Sequence, residues 1–182
     1  MENLSLHVLD IVENAISAKA KKIEILVMEE PGENRLTIEI RDDGIGMDEE
    51  ASKKAADPFF TTRTSRKVGL GLSLLAQAAK EAGGTLRIES NLGKGTSVTA
   101  TFQYHHIDRK PLGSMVETMM TLLLGNPELN ISYTHKKEGG SYTLSSQWLK
   151  EQFQHRSLTN PEVIQWVKKH LQEGLAQIGV QG

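Results

Sequence analysis

A chain of 182 residues, 38% of them hydrophobic and with a formal net charge of −2, can bury a core unaided and has no basic excess for a direct nucleic-acid contact. The absence of cysteine excludes disulfides, thiolate metal sites and cysteine nucleophiles, so any chemistry rests on carboxylates, amides, hydroxyls, histidines or backbone groups. No apolar run approaches the roughly 20 residues of a membrane span, and the acidic start "MENLSLHVLDIVENA" lacks a signal-peptide pattern, so a cytoplasmic protein without a membrane segment is expected.

Residues 3–20 show helical periodicity, and "KKIEILVMEE" then reads as a strand rich in Ile, Leu and Val. After the turn at "EPGEN", "RLTIEIRDD" places Leu36, Ile38 and Ile40 on one face of a second strand, which makes an antiparallel hairpin with the first. Asp48, Glu49 and Glu50 open a short helix, where acids suit the macrodipole, and "DPFFTTRTSRK" breaks the pattern. "GLGLSLLAQAAKEAGG" is a Leu/Ala helix with glycines at both ends, followed by strands "TLRIES" and "TSVTATFQY" around the tight "NLGKG" turn. These elements give an α+β fold, a two-layer sandwich of one mostly antiparallel sheet with helices on one face.

A change of character at "HHIDRKPLG" places a boundary near residue 108, with residues 1–108 ahead of it and a small α+β module over 109–182. That module reads as a helix "SMVETMMTLLLG", a hairpin turning at Gly139 and Gly140, and two further helices. The last starts well, with Asn160 as N-cap and Pro161 at the first helical position. Met115, Met119, Met120, Trp148 and Trp166 are expected in its core, and the histidines at 105, 106, 135, 155 and 170 on the surface.

Four loops carry the candidate chemistry. In "RDDGIGM" the glycines make a turn, and Asp43 can also accept a hydrogen bond from an amino group while Gly44 and Gly46 let backbone approach a flat ring. "KVGLGLSLL", Val68 to Leu72 and onward, either joins two elements or presents free N–H groups at a helix start to an anion; it matches neither the P-loop nor the dinucleotide fingerprint. "DPFFTTR" and "NLGKGTS" offer the hydroxyls of Thr62 and Thr96. On the first helix Asp10 and Asn14 share a face; they form either a polar edge or a paired base and hard oxygen ligand suited to Mg²⁺.

The ordered series "ENAI", "DDGIGM", "DPFFTTR", "GLGLSLL" and "GKGT" resembles the nucleotide-binding domain of the GHKL or Bergerat-fold superfamily, shared by gyrase, mismatch-repair ATPases, a class of heat-shock chaperones and histidine kinases. It covers about residues 1–104 and looks most like the ATP domain of histidine kinases. The resemblance implies the Bergerat fold, bound ATP and Mg²⁺. Asn14 would then hold the metal, Asp43 the adenine amino group, Gly46 and Met47 the base, and Thr96 the adenine through its hydroxyl or a water. Gly69, Leu70 and Gly71 would wrap the phosphates beneath a lid over residues 59–68, whose Arg63, Arg66 and Lys67 either reach the γ-phosphate or are solvated.

Two departures shape the expected activity. Few residues precede the first helix, so no phosphoacceptor domain is expected, and His7 reads as a helix-surface residue. One turn before Asn14 stands Asp10, where in the families it resembles ATP-hydrolysing members and the anti-sigma serine kinases carry glutamate and histidine kinases typically asparagine, so Asp10 is the candidate base. The expected function is a slow ATPase or nucleotide-dependent switch acting on a protein partner. The alternatives are a kinase phosphorylating a partner in trans and a sensor that binds nucleotide without turnover.

Overall fold

In a computed structural model, residues 3–55, 70–154 and 156–180 are described. Period-two alternation builds the sheet: Ile23, Ile25 and Val27 of β1 (Lys22–Glu30) and Leu36, Ile38 and Ile40 of β2 (Arg35–Asp42) are buried on one face. β3 (Thr85–Asn91) and β4 (Gly95–Gln103) extend this hairpin on the β2 side, with antiparallel pairing throughout. Alternate positions, among them Glu24, Glu39, Arg41 and Thr134, line a polar groove on the other face. Asparagine 34 closes the β1–β2 turn in the left-handed region at φ 49°, as its short polar side chain permits.

α1 (Leu4–Ser17) starts at Asn3, whose side chain accepts the Leu6 N–H, and buries Leu4, Val8, Ile11, Val12 and Ala15 against the sheet. The segment after β4 returns to this helix end: the N–H groups of Leu4 and Ser5 donate to the carbonyls of Pro111 and Leu112 at 2.9 and 2.7 Å. Those bonds satisfy donors that a helix start leaves free, and they anchor the helix that carries Asp10 and Asn14. α2 (Glu49–Lys54) is a short helix capped by Asp48. α3 (Leu70–Glu81) ends in a left-handed glycine, Gly83, at φ +68°.

α4 (Met115–Gly125), the hairpin of β5 (Asn130–Lys137) and β6 (Gly140–Ser145), α5 (Ser146–Gln152) and α6 (Pro161–Gln177) follow in the expected order. The hairpin does not stand apart. β5 pairs parallel with β1, giving one mixed six-stranded sheet in the order β3-β4-β2-β1-β5-β6, so the expected boundary at residue 108 does not divide the sheet. A single apolar core likewise runs from Leu4 to Val180.

Side-chain environments correct several expectations. His135 is buried, not a surface residue: its Nε2–H donates to Glu29 at 2.8 Å and its Nδ1 accepts from the Tyr133 hydroxyl at 2.6 Å. Tyr104 donates to the other oxygen of Glu29 at 2.9 Å, so a satisfied polar network joins β1, β5 and the end of β4. Burial pushes the Glu29 carboxyl up, but the bonds from His135 and Tyr104 and the charge of Lys137 hold it below the usual range. Trp148 and Trp166 are partly exposed, at 37% and 41%, and stack on His170 with centroids 5.5 and 4.8 Å away, whereas the three methionines are buried. His155 lies outside the described residues.

His7 is also buried, and among the described residues neither ring nitrogen has a hydrogen-bond partner. Burial first, then the nearby charge of Lys110, push its pKa down from 6.5 to about 4. The unfolded chain therefore takes up this proton as pH falls below about 6.5 while the folded chain does not until about 4. Stability held above that window is lost within it, on the order of 2 kcal/mol by about pH 5. Denaturant titrations across the window should show this loss, and His7→Met should flatten it. An unchanged slope in the variant would assign the acid sensitivity elsewhere.

Candidate functional site

Where the ends of β2 and β4 meet α1 and the start of α3, a cavity of about 220 Å³ opens. Its walls are mostly apolar, from Ile11, Ala15, Ile45, Met47, Leu72 and Val98, and a few polar groups converge on it: Asn14, Asp42 and Thr96. An apolar slot with sparse directed polar groups suits a flat, partly polar ligand. Asn14 and Asp10 occupy successive turns of α1. Among the described residues the Asn14 side chain has no hydrogen-bond partner, and the carboxyl of Asp10 lies beside Gly71, where an added Cβ would sit 3.4 Å from its Oδ2. Burial, then the charge of Glu13, raise the Asp10 pKa.

The two adjacent acids of "RDDGIGM" have opposite fates. Asp42 ends β2 on the face of Ile38 and Ile40 and lines the cavity. Its Oδ1 accepts the Gly44 N–H at 2.8 Å, and the Thr96 N–H also bonds its carboxyl; burial outweighs these bonds and raises its pKa. Asp43, expected at the adenine, faces away. It is exposed, and its Oδ1 accepts the backbone N–H groups of Lys21 and Lys22 at 2.7 and 2.8 Å, with the Lys22 bond foremost in lowering its pKa.

Gly46 and Gly95 leave no room for a side chain. A Cβ on Gly46, at φ +68°, would come within 2.1 Å of the Asn91 carbonyl, and one on Gly95, at φ +86°, within 1.9 Å of the Asp42 carbonyl. The 45–47 loop therefore lies directly on the β3–β4 turn, which the Gly93 N–H fixes by donating to Ile45 at 2.8 Å. Met47 is held there by its N–H to the Ser90 hydroxyl, and Ser90 in turn contacts Thr96.

Of the expected site residues, the structure brings Asn14, Gly46, Met47, Leu72 and Thr96 to the cavity wall; Gly44 lies against Ala18 of that wall and Gly71 against Asp10, while Leu70 is 66% exposed at the start of α3. Thr62, Val68 and Gly69, with Arg63, Arg66 and Lys67, lie outside the described residues. The sequence reading missed Asp42 and Ser90. Both were within reach of strand periodicity: Asp42 follows Ile38 and Ile40 by twos, and Ser90 follows Leu86 and Ile88.

The histidine kinase-, DNA gyrase B- and HSP90-like ATPase family matches residues 2–106, and the chain belongs to it. It therefore carries a GHKL ATP-binding domain. Sporulation kinase C of Bacillus subtilis (strain 168) is 33% identical over 88 residues, 48% of this chain and 20% of that protein. Sensor histidine kinase YxdK of the same organism is 30% identical over 99 residues, 50% of this chain and 30% of that protein. The chain thus spans less than a third of the length of these relatives. The Aquifex aeolicus MutL ATPase domain, solved in complex with ADP, shares the fold with a TM-score of 0.52 at 21% identity. That likeness covers 85% of this chain and 70% of the other, so it extends beyond residues 2–106 of the family match.

Proposed function

We propose that the chain binds ATP with Mg²⁺ and acts as a slow ATPase or nucleotide-dependent switch on a protein partner. The observation that carries this reading is the pairing of Asp10 with Gly71: a carboxyl of raised pKa on α1 beside the N-terminal turn of α3, one turn from Asn14. Free N–H groups at a helix start favour phosphate, so the cavity would take the base and the α3 start the phosphates. Within the cavity Asp42, rather than Asp43, would accept from the adenine amino group, with Gly46 and Met47 against the ring and Thr96 at its edge.

Asn14 fits a metal role, since its amide oxygen is a hard ligand with no partner among the described residues and Mg²⁺ takes few protein ligands beside water and phosphate. Bound there, Mg²⁺ would neutralise phosphate charge. Asp10 would accept the proton of an attacking water as its oxygen bonds the γ-phosphorus and the bridging oxygen leaves with ADP. No helix among the described residues is long and apolar enough to cross a membrane, in keeping with a cytoplasmic role. Residues 109–182 would serve as the docking region, an assignment favoured by the exposed rings of Trp148 and Trp166.

ATP labelled at the γ-phosphate tests the reading. Orthophosphate released with Mg²⁺ present and label absent from protein supports hydrolysis. Label transferred to a co-purified protein would establish a trans kinase instead, and stoichiometric binding with neither product a sensor.

A further inference from the structure

The cavity rim is wired by a hydroxyl at the end of β3. Ser90 Oγ makes three contacts: it receives the Met47 N–H at 2.8 Å, reaches the Gly95 carbonyl at 3.0 Å and meets the Thr96 hydroxyl at 2.8 Å. A serine hydroxyl has one proton and two lone pairs. The Met47 N–H can only donate and the Gly95 carbonyl can only accept, which fixes the roles of two of the three. The proton of Ser90 goes to Gly95, one lone pair is filled by Met47, and the remaining lone pair faces Thr96. The Thr96 proton therefore points at Ser90. In the reverse arrangement the oxygens of Ser90 and Gly95 would oppose each other, lone pair to lone pair, at 3.0 Å.

This count decides what the cavity meets. Thr96 lines the wall with its proton already spent, so it offers only lone pairs to a ligand. Asp42 beside it, paired with Thr96 across the β2–β4 ladder, is a carboxylate and likewise accepts only. A rim of acceptors matches a base edge that presents an amino group. It opposes a base edge that presents a carbonyl oxygen at the same place, because that oxygen would find no donor and would face lone pairs of both protein acceptors.

We infer that Ser90 is a positioning residue that fixes Thr96 as a hydrogen-bond acceptor toward the nucleotide, and thereby tilts the site toward 6-amino purines over 6-oxo purines. The inference rests on the nucleotide reading of this cavity. It adds a residue outside the cavity wall whose effect is on discrimination, not on affinity alone.

The test is the ratio of affinities for Mg·ATP and Mg·ITP, measured by calorimetry on the full chain. The wild type should prefer ATP. Ser90→Ala frees the Thr96 proton to turn toward a carbonyl oxygen, so the ratio should narrow about five- to tenfold, while Ser90→Thr, which keeps the hydroxyl, should restore it. Thr96→Val should narrow the ratio too, and adding Ser90→Ala to it should change the ratio no further, because the two act through one hydrogen bond. Equal loss of both nucleotides in Ser90→Ala, with the ratio unchanged, would make Ser90 merely structural and overturn the inference. If Ser90→Ala does not fold, an unchanged ratio in Thr96→Val overturns it by itself. Failure of the wild type to bind either nucleotide would instead remove the reading of the cavity, and is seen before any variant is made.

Discussion

Asp42→Asn is expected to weaken ATP binding about 10- to 100-fold, while Asp43→Asn should leave it within about a factor of three. Asparagine is nearly isosteric with aspartate and can keep the Gly44 N–H bond through its oxygen, so the loop should hold its shape. Its amide nitrogen, however, would then face the adenine amino group, donor against donor. That loses a charge-assisted bond and leaves buried polar groups unpaired. Asp43 bonds the backbone of Lys21 and Lys22 on the other side of the strand end, so its replacement should cost a little stability and no recognition. Binding isotherms for the two variants decide the matter, and the opposite order would return the adenine role to Asp43.

Asp10→Asn should keep ATP affinity and lower turnover by about 10² to 10⁴, the range of a removed general base. The raised pKa of Asp10 adds a pH signature: the base works only when deprotonated, so the rate should climb with pH through a group above the usual carboxylate value of 3.8. That acidic limb should vanish from whatever rate remains in the variant. Nucleotide release measured alongside hydrolysis separates a lost chemical step from a changed product step. Undiminished turnover in Asp10→Asn would assign the base to another residue.

Much of this was legible in the residues because it is local. The strands, the amphipathic helices and the glycine-closed turns follow from periods of 2 and 3.6 and from capping chemistry. Asp42 rather than Asp43 lines the cavity because side-chain alternation continues to the last paired residue of β2, opposite Thr96. His7 sits on the stripe of Leu4, Val8 and Ile11, so the helical period itself places it on the buried face. Trp166 lies one residue from the buried Val167, about 100° around α6, which moves it off the core face. The parallel pairing of β5 with β1 had no such signal, because a strand's own sequence does not name a partner about a hundred residues away.

The claim beneath all of this is that the cavity between α1, β2 and β4 holds the base of a metal-bound ATP. Calorimetric titration of the full chain with Mg²⁺ and a non-hydrolysable ATP analogue tests it most directly. The account predicts one saturable site that weakens when Mg²⁺ is chelated and again in Asn14→Ala. A flat thermogram with wild-type protein, or full binding retained in both Asn14→Ala and Asp42→Asn, would contradict it.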